Sequence, residues 1–175
     1  MTPSPVNHFE LFGLPATFAI DSDALDDAYR ALQTEVHPDR FAGGSEAERR
    51  VALQTSARVN EAYRALKDPV ERARYLLALR GIDAFDETDT SLSVDFLEEQ
   101  LARRERAAEA AEEGDVEALD ELLAEVRVEV RERQDTLARL LDDPAATPTA
   151  TAAVRELRFL TKVVEDVGAM LADLD

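Results

Sequence analysis

The segment from Glu35 to Gly44, EVHPDRFAGG, concentrates polar chemistry in a few residues. It places His37, one of only two histidines, next to Pro38, Asp39 and Arg40. A histidine and an aspartate together could serve general acid-base catalysis, but no serine, cysteine or second carboxylate pair in a recognisable catalytic pattern accompanies them. The sequence therefore predicts no catalytic residues and no enzyme, and a hydrolase that uses His37 and Asp39 is only a distant alternative.

A metal or cluster site is equally poorly supported by the residue types. The chain has no cysteine, so it has no thiolate for zinc or an iron-sulfur cluster, and its two histidines, His8 and His37, lie far apart in sequence. We expect no metal and no bound cofactor. We expect His8 to be an exposed residue near the start of a short helix.

Helices must position the EVHPDRFAGG turn. Proline lacks an N-H and disfavours helical geometry in the residue before it, so a helix must stop at or just before His37. That helix is predicted to start after Asp21, because apolar residues recur at 3-4 spacing: Leu25, Ala28, Tyr29, Leu32 and Val36. A capping-box pattern at Ser45 and Glu48 predicts the next helix, and Pro69 begins a fourth that ends at Gly81. With a short apolar opening before Gly13, residues 1–80 are predicted to form a four-helix unit.

The remainder of the chain is predicted to be a helical bundle, which makes the fold class all-α. Residues 81–92 are polar and acidic and are predicted to be a linker. Beyond them, three long amphipathic segments lie near 93–113, 115–142 and 151–174. Their regular apolar seams and short connections favour an antiparallel three-helix bundle over residues 93–175, and an extended coiled coil between chains is the less favoured alternative.

The net charge of the chain limits the kinds of partner that it is expected to bind. The net charge of −18 is divided unevenly: residues 1–80 carry 12 acidic and 10 basic side chains, a net of −2, and residues 81–175 carry 26 and 10, a net of −16. Such a chain is not expected to bind nucleic acid or an anionic membrane. No apolar run approaches the ~20 residues of a membrane span and the start lacks a signal-peptide pattern, so a cytoplasmic location is predicted.

The basic residues are 18 arginines and only 2 lysines, Lys67 and Lys162. A GC-rich genome would explain this bias. A salt-rich cytoplasm would explain the acidic surface, because salt screens its self-repulsion. The sequence leaves both explanations open.

Some apolar residues do not fit the bundle seams. Phe96 and Leu97 are about 100° apart on a helical wheel, so Leu97 and Leu101 cannot share the direction of Phe96. Phe159 is likewise adjacent to the seam residue Leu160 and lies off the seam. One set must face outward or lie at the edge of the bundle, although single exposed apolar residues are common in proteins.

The helix order and several motifs together resemble a known family. A helix that ends in His-Pro-Asp followed by a basic residue, between a short first helix and a long third helix, resembles a J-domain. Further segments narrow the resemblance to the HscB family of J-domain co-chaperones of iron-sulfur cluster assembly, over nearly the whole chain: FELFGLP, HPDRFAGGS, ERARYLLALRG, DFLEEQLARRE and VRELRFLTK.

The resemblance implies a fold, two partners and two sets of contact residues. It implies a J-domain helical hairpin with flanking short helices, followed by the three-helix bundle. It implies that the J-domain activates the ATPase of a chaperone of the HscA or DnaK type, and that the bundle binds an iron-sulfur scaffold protein of the IscU type. The chaperone-contact residues would be His37, Pro38, Asp39 and Arg40, and the scaffold-contact residues would be Leu97, Leu101, Arg104, Glu105 and Phe159.

This sequence also departs from the family pattern. J-domains usually present a basic face on the second helix, whereas here the acidic residues outnumber Arg30: Asp23, Asp26, Asp27 and Glu35. Electrostatic docking onto an acidic chaperone surface would be weaker, or the partner would be differently charged. Glu98 and Ala102 differ from the residues typical of bacterial relatives. The alternative function is a J-domain interaction protein with a different client.

Overall fold

A computed structural model of the chain describes residues 6–86 and 92–174, and all regular secondary structure in these ranges is helical. Two compact units divide the chain, Met1–Leu76 and Leu77–Asp175. The described residues form seven α-helices: α1 (His8–Leu11), α2 (Ser22–Val36), α3 (Glu46–Lys67), α4 (Pro69–Ala78), α5 (Val94–Glu113), α6 (Val116–Asp142) and α7 (Thr147–Leu174). Two short 3-10 helices, Pro38–Phe41 and Pro144–Ala146, follow α2 and α6. The predicted all-α fold class is confirmed.

The predicted helix starts are formed by side-chain caps. The Asp21 carboxylate accepts hydrogen bonds from the backbone N-H groups of Asp23 and Ala24, at 3.0 and 3.1 Å, at the start of α2. At the start of α3, Ser45 and Glu48 form the complete capping box. The backbone N-H of Ser45 donates to Glu48, and this bond holds the pKa of the Glu48 carboxyl below its usual value. Each cap satisfies backbone donors that a helix start leaves unpaired.

The first unit is built on an antiparallel pair, α2 and α3. Their contacts run in opposite directions along the two sequences: Asp26 of α2 bonds Lys67 of α3 with Nζ–Oδ1 of 2.7 Å, and the ring of Tyr29 stacks on that of Tyr63 at 4.0 Å. The Tyr29 hydroxyl then donates to Asn60 Oδ1 at 2.9 Å. The buried core of this unit is apolar and includes Phe9, Phe12, Phe18, Leu25, Ala52, Val59, Ala62, Leu66, Val70 and Ala73.

The short helix α1 differs from the prediction at one residue. His8 is half-buried rather than exposed: its ring stacks on Tyr75 of α4 at 4.1 Å, and its backbone N-H donates to the Tyr75 hydroxyl at 3.0 Å. Burial lowers the pKa of His8. Tyr75 belongs to α4, so the burial of His8 depends on a tertiary contact and not on the residues next to it in sequence.

The second unit contains the three predicted bundle helices. Arg106 of α5 pairs with Glu125 of α6 at 3.0 Å, and Arg103, earlier in α5, pairs with Glu129, later in α6, so these helices are antiparallel. Gly114 joins them with a φ of 68°, the left-handed conformation that glycine adopts without a side-chain clash. One buried cluster holds the three helices together: Phe96, Ala107, Ala110, Leu119, Leu122, Leu123, Val126, Leu160 and Val167.

The last helix starts earlier than the predicted position near residue 151. It begins at Thr147, and Pro148 lies in its first turn. Proline is tolerated there because the first backbone N-H groups of a helix have no intrahelical acceptor. The predicted apolar seams of α6 and α7 are buried or half-buried in their central parts. Val116, at the start of α6, and Leu174, at the end of α7, are exposed.

The segment before α5 belongs to the second unit and packs partly on its helix α7. Arg80 donates to the hydroxyl of Thr147 at 3.2 Å, Arg155 donates to the carbonyl of Ala84 at 2.8 Å, and Ala84 is fully buried. The change of unit between Leu76 and Leu77 falls inside α4. The predicted linker covers residues 81–92, of which residues 87–91 lie outside the described residues.

Candidate partner-binding sites

The first candidate site is a turn of four residues, His37, Pro38, Asp39 and Arg40, which we call the HPD turn. Helix α2 ends at Val36, and His37 adopts an extended conformation with φ −58° and ψ 128°. This is the conformation that a following proline favours. The 3-10 helix then closes the turn, and the backbone N-H of Arg40 donates to the carbonyl of His37 at 3.0 Å. A covalent constraint and a local hydrogen bond therefore fix the turn.

The side chains of the HPD turn point largely into solvent. The Asp39 side chain is 90% exposed and that of His37 is 53% exposed. The backbone N-H of Asp39 lies 3.3 Å from His37 Nδ1, and the same imidazole nitrogen lies 3.5 Å from Asp39 Oδ2. The carboxylate is available to accept hydrogen bonds from a partner.

Arg40 has a structural role as well as an exposed position. Its Nη1 donates to the carbonyl of Thr34 at 3.1 Å, which is one of the last carbonyls of α2. The bond satisfies an acceptor that the helix end leaves free, and it places a positive charge at the negative end of the helix dipole. Part of the hydrogen-bonding capacity of Arg40 is therefore used within the turn.

The acidic residues of α2 are partly neutralised within the first unit. A hydrogen bond from Lys67 lowers the pKa of Asp26, and the same bond raises the pKa of Lys67. Asp27 pairs with Arg30 on the surface at 3.3 Å. Two acidic side chains of α2, Asp26 and Asp27, are therefore paired with basic side chains of the same unit. A partner meets less negative charge on α2 than the number of acidic side chains indicates.

The second candidate site is the apolar patch, which consists of Leu97, Leu101 and Phe159. These side chains are 44%, 58% and 39% exposed, whereas the neighbouring Phe96 is only 4% exposed. The Phe159 ring from α7 meets the Phe96 ring of α5 edge to face, with centroids 5.8 Å apart. The structure thus brings an α7 residue to α5, where the two leucines face solvent.

The two predicted polar neighbours, Arg104 and Glu105, are both exposed on α5. The flanking arginines of α5, Arg103 and Arg106, are instead paired with carboxylates. Arg103 pairs with Glu129 and Arg106 pairs with Glu125, so both of these arginines are held against α6. Hydrogen bonding to Arg106 also lowers the pKa of Glu125.

A groove of about 440 Å³ lies between α5 and α7 next to the apolar patch. We call it the α5–α7 groove; it is lined by Gln100, Arg103, Arg104, Ala107, Phe159, Lys162, Val163, Asp166, Val167, Ala169 and Met170. Sequence reasoning did not predict it. The available signal was Gln100, a polar residue one turn after the core residue Phe96 and therefore on a face of α5 that is otherwise apolar.

The described ranges, residues 6–86 and 92–174, contain neither a cluster of metal-binding side chains nor a membrane-spanning helix. In these residues, no group of three or more histidine or acidic side chains is arranged to hold a metal ion. None of the helices described is both long enough and apolar enough to cross a membrane.

Two family models match the chain. Residues 7–75 match the model of the DnaJ domain, and residues 92–168 match that of the HSCB C-terminal oligomerisation domain. The "Co-chaperone protein HscB homolog" of Burkholderia vietnamiensis is 50% identical over 169 residues, which cover 97% of this chain and 96% of the relative.

Solved structures agree with these matches. The chaperone HscB from Vibrio cholerae superposes with a TM-score of 0.87 at 36% identity and covers 97% of this chain and 99% of its own. The human co-chaperone protein HscB gives a TM-score of 0.87 at 28% identity, with 95% of this chain and 83% of the human chain covered.

Proposed function

The chain belongs to the HscB family of J-domain co-chaperones, and we propose that its two candidate sites bind two different proteins. The family acts in iron-sulfur cluster assembly and regulates the ATPase of a heat-shock chaperone without being an enzyme itself. Our proposal concerns which surfaces do this. The HPD turn contacts a chaperone of the HscA or DnaK type, and the bundle binds an iron-sulfur scaffold protein of the IscU type.

The contact with the chaperone is supported by the geometry of the HPD turn. Asp39 is held on a rigid turn with its carboxylate in solvent, and an ionised acceptor can take charge-assisted hydrogen bonds from a partner arginine. Pro38 limits the conformations of the turn, so little entropy is lost when the partner binds. His37 orients the backbone of Asp39 through its Nδ1 atom. Arg40 supplies the positive charge next to these residues.

The exposure of the apolar patch is the single observation that carries the scaffold proposal. Three large apolar side chains, Leu97, Leu101 and Phe159, stay 39 to 58% exposed although a closed apolar core lies beneath them. Burying such side chains in a partner would be favourable by roughly 25 cal/mol per Å² of apolar surface. Arg104 and Glu105, also exposed on α5, would form the polar rim that protein interfaces usually have.

The domain division and the location belong to the same proposal. We assign chaperone binding to residues 1–80 and scaffold binding to residues 93–175, with residues 81–92 between them. We assign the chain to the cytoplasm. The alternative function, a J-domain protein with a different client, would use the same HPD turn but would not need an iron-sulfur scaffold to fit the apolar patch.

An ATPase assay with purified proteins tests the proposal. The chain alone should not hydrolyse ATP, and it should accelerate single-turnover hydrolysis by a chaperone of the HscA or DnaK type. Adding an IscU-type scaffold should increase the stimulation further, and titration calorimetry should show direct binding of the scaffold to the chain. Stimulation of the chaperone without any binding of the scaffold would favour the alternative client.

A further inference from the structure

The HPD turn lies between two helices, and a partner docked on the turn can extend its contact onto either of them. Helix α2 ends at Val36, directly before the turn, and helix α3 starts at Glu46, a few residues after it. The two helices differ in net charge and in the apolar surface that they expose. These two differences indicate which helix continues the interface.

The net charge has opposite signs on the two helices. Helix α2 carries four acidic side chains and one basic side chain, a net charge of −3, whereas α3 carries three acidic and five basic side chains, a net charge of +2. The pair of Asp26 and Lys67 cancels one charge on each helix and leaves the two signs unchanged. Arg49 and Arg50, both exposed, lie in the first turns of α3. A partner with carboxylates beside its contact with the HPD turn is therefore attracted to α3 and repelled by α2.

An open cleft of about 330 Å³, which we call the α3 cleft, lies where the HPD turn meets α3. Two of the residues that line it, Val36 and Phe41, flank the HPD turn in sequence. The other lining residues belong to one side of α3: Ala47, Glu48, Val51, Ala52 and Thr55. The surface of the cleft is almost entirely apolar. The HPD turn and the α3 cleft therefore form one continuous surface within the first unit.

Val51 exposes apolar surface inside the α3 cleft. Its side chain is 59% exposed, whereas the neighbouring Ala52 belongs to the buried core. The Glu48 carboxylate at the edge of the cleft accepts hydrogen bonds from Ser45, so its charge is used in the helix cap. Helix α2, all of whose residues are described, has no exposed large apolar side chain. A partner at the HPD turn thus finds additional apolar contact on the α3 side.

We propose that the chaperone interface continues from the HPD turn onto the first turns of α3, and not along α2. The α3 cleft receives an apolar side chain of the chaperone, and carboxylates beside that side chain face Arg49 and Arg50. This inference rests on the proposed function, because it extends the chaperone contact that we assign to the HPD turn. The turn supplies the contact that activates the ATPase, and the α3 cleft adds affinity.

The first test uses two exposed apolar residues of α3 as a matched pair. Val51 and Leu53 are 59% and 61% exposed, but they point about 200° apart around the helix, and Leu53 does not line the cleft. In a single-turnover ATPase assay, Val51→Ser should raise the concentration of the chain that gives half-maximal stimulation about three- to tenfold. The maximal stimulation should stay the same, because the HPD turn is intact. Leu53→Ser should change the half-maximal concentration less than about twofold.

The second test fills the α3 cleft instead of removing apolar surface from it. Ala47→Leu places a larger side chain in the cleft and keeps a residue that favours helices. It should raise the half-maximal concentration as Val51→Ser does, because the chaperone side chain loses its space. Ala57→Leu, at an exposed residue of α3 outside the cleft, is the control. The denaturant midpoint of the full chain should be equal in both variants.

The third test compares one arginine of each helix. Arg50→Gln should raise the half-maximal concentration about two- to fivefold at low salt, and the difference from wild type should shrink as potassium chloride is added. Arg30→Gln removes the same charge from α2, where Arg30 pairs with Asp27. It should change the half-maximal concentration less than about twofold.

The outcomes separate this inference from the proposed function. If the wild-type chain does not stimulate the chaperone, both fail. If Asp39→Asn abolishes stimulation but Val51→Ser and Ala47→Leu behave as their controls do, the HPD turn remains the chaperone contact and the inference is overturned. A larger effect of Arg30→Gln than of Arg50→Gln would place the interface on α2 and would also overturn it. Raised half-maximal concentrations for Val51→Ser and Ala47→Leu, with unchanged maximal stimulation, support it.

Discussion

The HPD turn and the apolar patch differ in how far apart in sequence their residues lie. The turn uses four consecutive residues, whereas the patch joins Leu97 and Leu101 of α5 to Phe159 of α7. The turn presents a carboxylate that is 90% exposed, and the patch presents half-exposed apolar side chains. Proline and local hydrogen bonds fix the first site, and the packing of two helices fixes the second. Substitutions should therefore impair the two proposed activities separately.

The largest effect is expected at the HPD turn. Asp39→Asn should abolish stimulation of the chaperone ATPase, because the neutral amide cannot form the charge-assisted hydrogen bonds of the carboxylate. The fold should stay intact, since exposed substitutions usually change the free energy of unfolding by less than about 0.5 kcal/mol. Circular dichroism and a single-turnover ATPase assay measure the two effects.

A matched control for this change is Asp173→Asn, which removes the same charge from the exposed end of α7. It should stimulate the chaperone as the wild type does. Full stimulation by a folded Asp39→Asn protein would remove the basis for assigning the chaperone contact to this turn.

The next largest effect is expected at the apolar patch. The three side chains are about half exposed, so a partner can bury the remaining half of each, worth roughly 2 to 4 kcal/mol in total at 1.5 to 3 kcal/mol per fully buried side chain. The triple substitution of Leu97, Leu101 and Phe159 by alanine should weaken scaffold binding about 30- to 1000-fold in titration calorimetry. The extra ATPase stimulation that the scaffold provides should disappear with it.

The stability of these variants distinguishes a binding surface from a core. Leu97→Ala and Leu101→Ala should change the free energy of unfolding by less than about 0.5 kcal/mol. Phe159→Ala should cost about 1 kcal/mol, because it removes the edge-to-face contact with Phe96. Val128→Ala, at an exposed apolar residue of α6, is the control for scaffold affinity. Losses of several kcal/mol would instead place the leucines in the core.

A smaller effect is expected from the ion pair of Asp26 and Lys67, which joins α2 to α3. The pKa of Asp26 is lowered in the folded chain, so its contribution to stability is present above about pH 4 and is lost as the pH falls through the folded-state value. The pKa of Lys67 is raised, so its contribution is present below about pH 10 and is lost as the pH rises. Lys67→Met removes the ion pair, so the free energy of unfolding should depend less on pH both near pH 4 and near pH 10.

Hydrogen exchange of the intact chain, followed peptide by peptide, can locate this effect. Helices α2 and α3 should lose protection in Lys67→Met at neutral pH, and α5 to α7 should not. Lys162→Met is the control, because Lys162 pairs with Glu165 and Asp166 of its own helix, α7. An equal change in both units would show that Lys67 does not act through the α2–α3 contact.

The smallest effect is expected from salt, and it compares the two regions directly. Residues 81–175 have a net charge of −16 and residues 1–80 a net charge of −2, so screening should relieve more repulsion in the bundle. Potassium chloride should raise the exchange protection of α5 to α7 more than that of α2 and α3. Equal salt responses in the two regions would mean that the charge asymmetry has no consequence for stability.

The sequence by itself determined the features that depend on neighbouring residues. Pro38 ended α2 at the predicted position, and Ser45 with Glu48 formed the predicted cap, because proline geometry and capping hydrogen bonds act within four residues. The all-α class followed from the apolar periodicity. The start of α7 was placed about four residues too late, because a proline in a first turn does not mark the boundary of a helix.

Tertiary structure alone decided which side chains lack a partner. From sequence, Arg103, Arg104 and Arg106 are three similar cations, but two of them meet carboxylates of α6 and the third faces the groove. The sequence also did not show that Gln100 would keep a buried amide nitrogen unpaired beside Arg103. Pairing depends on the distance and rotation between helices that are distant in sequence, and no local pattern encodes that geometry.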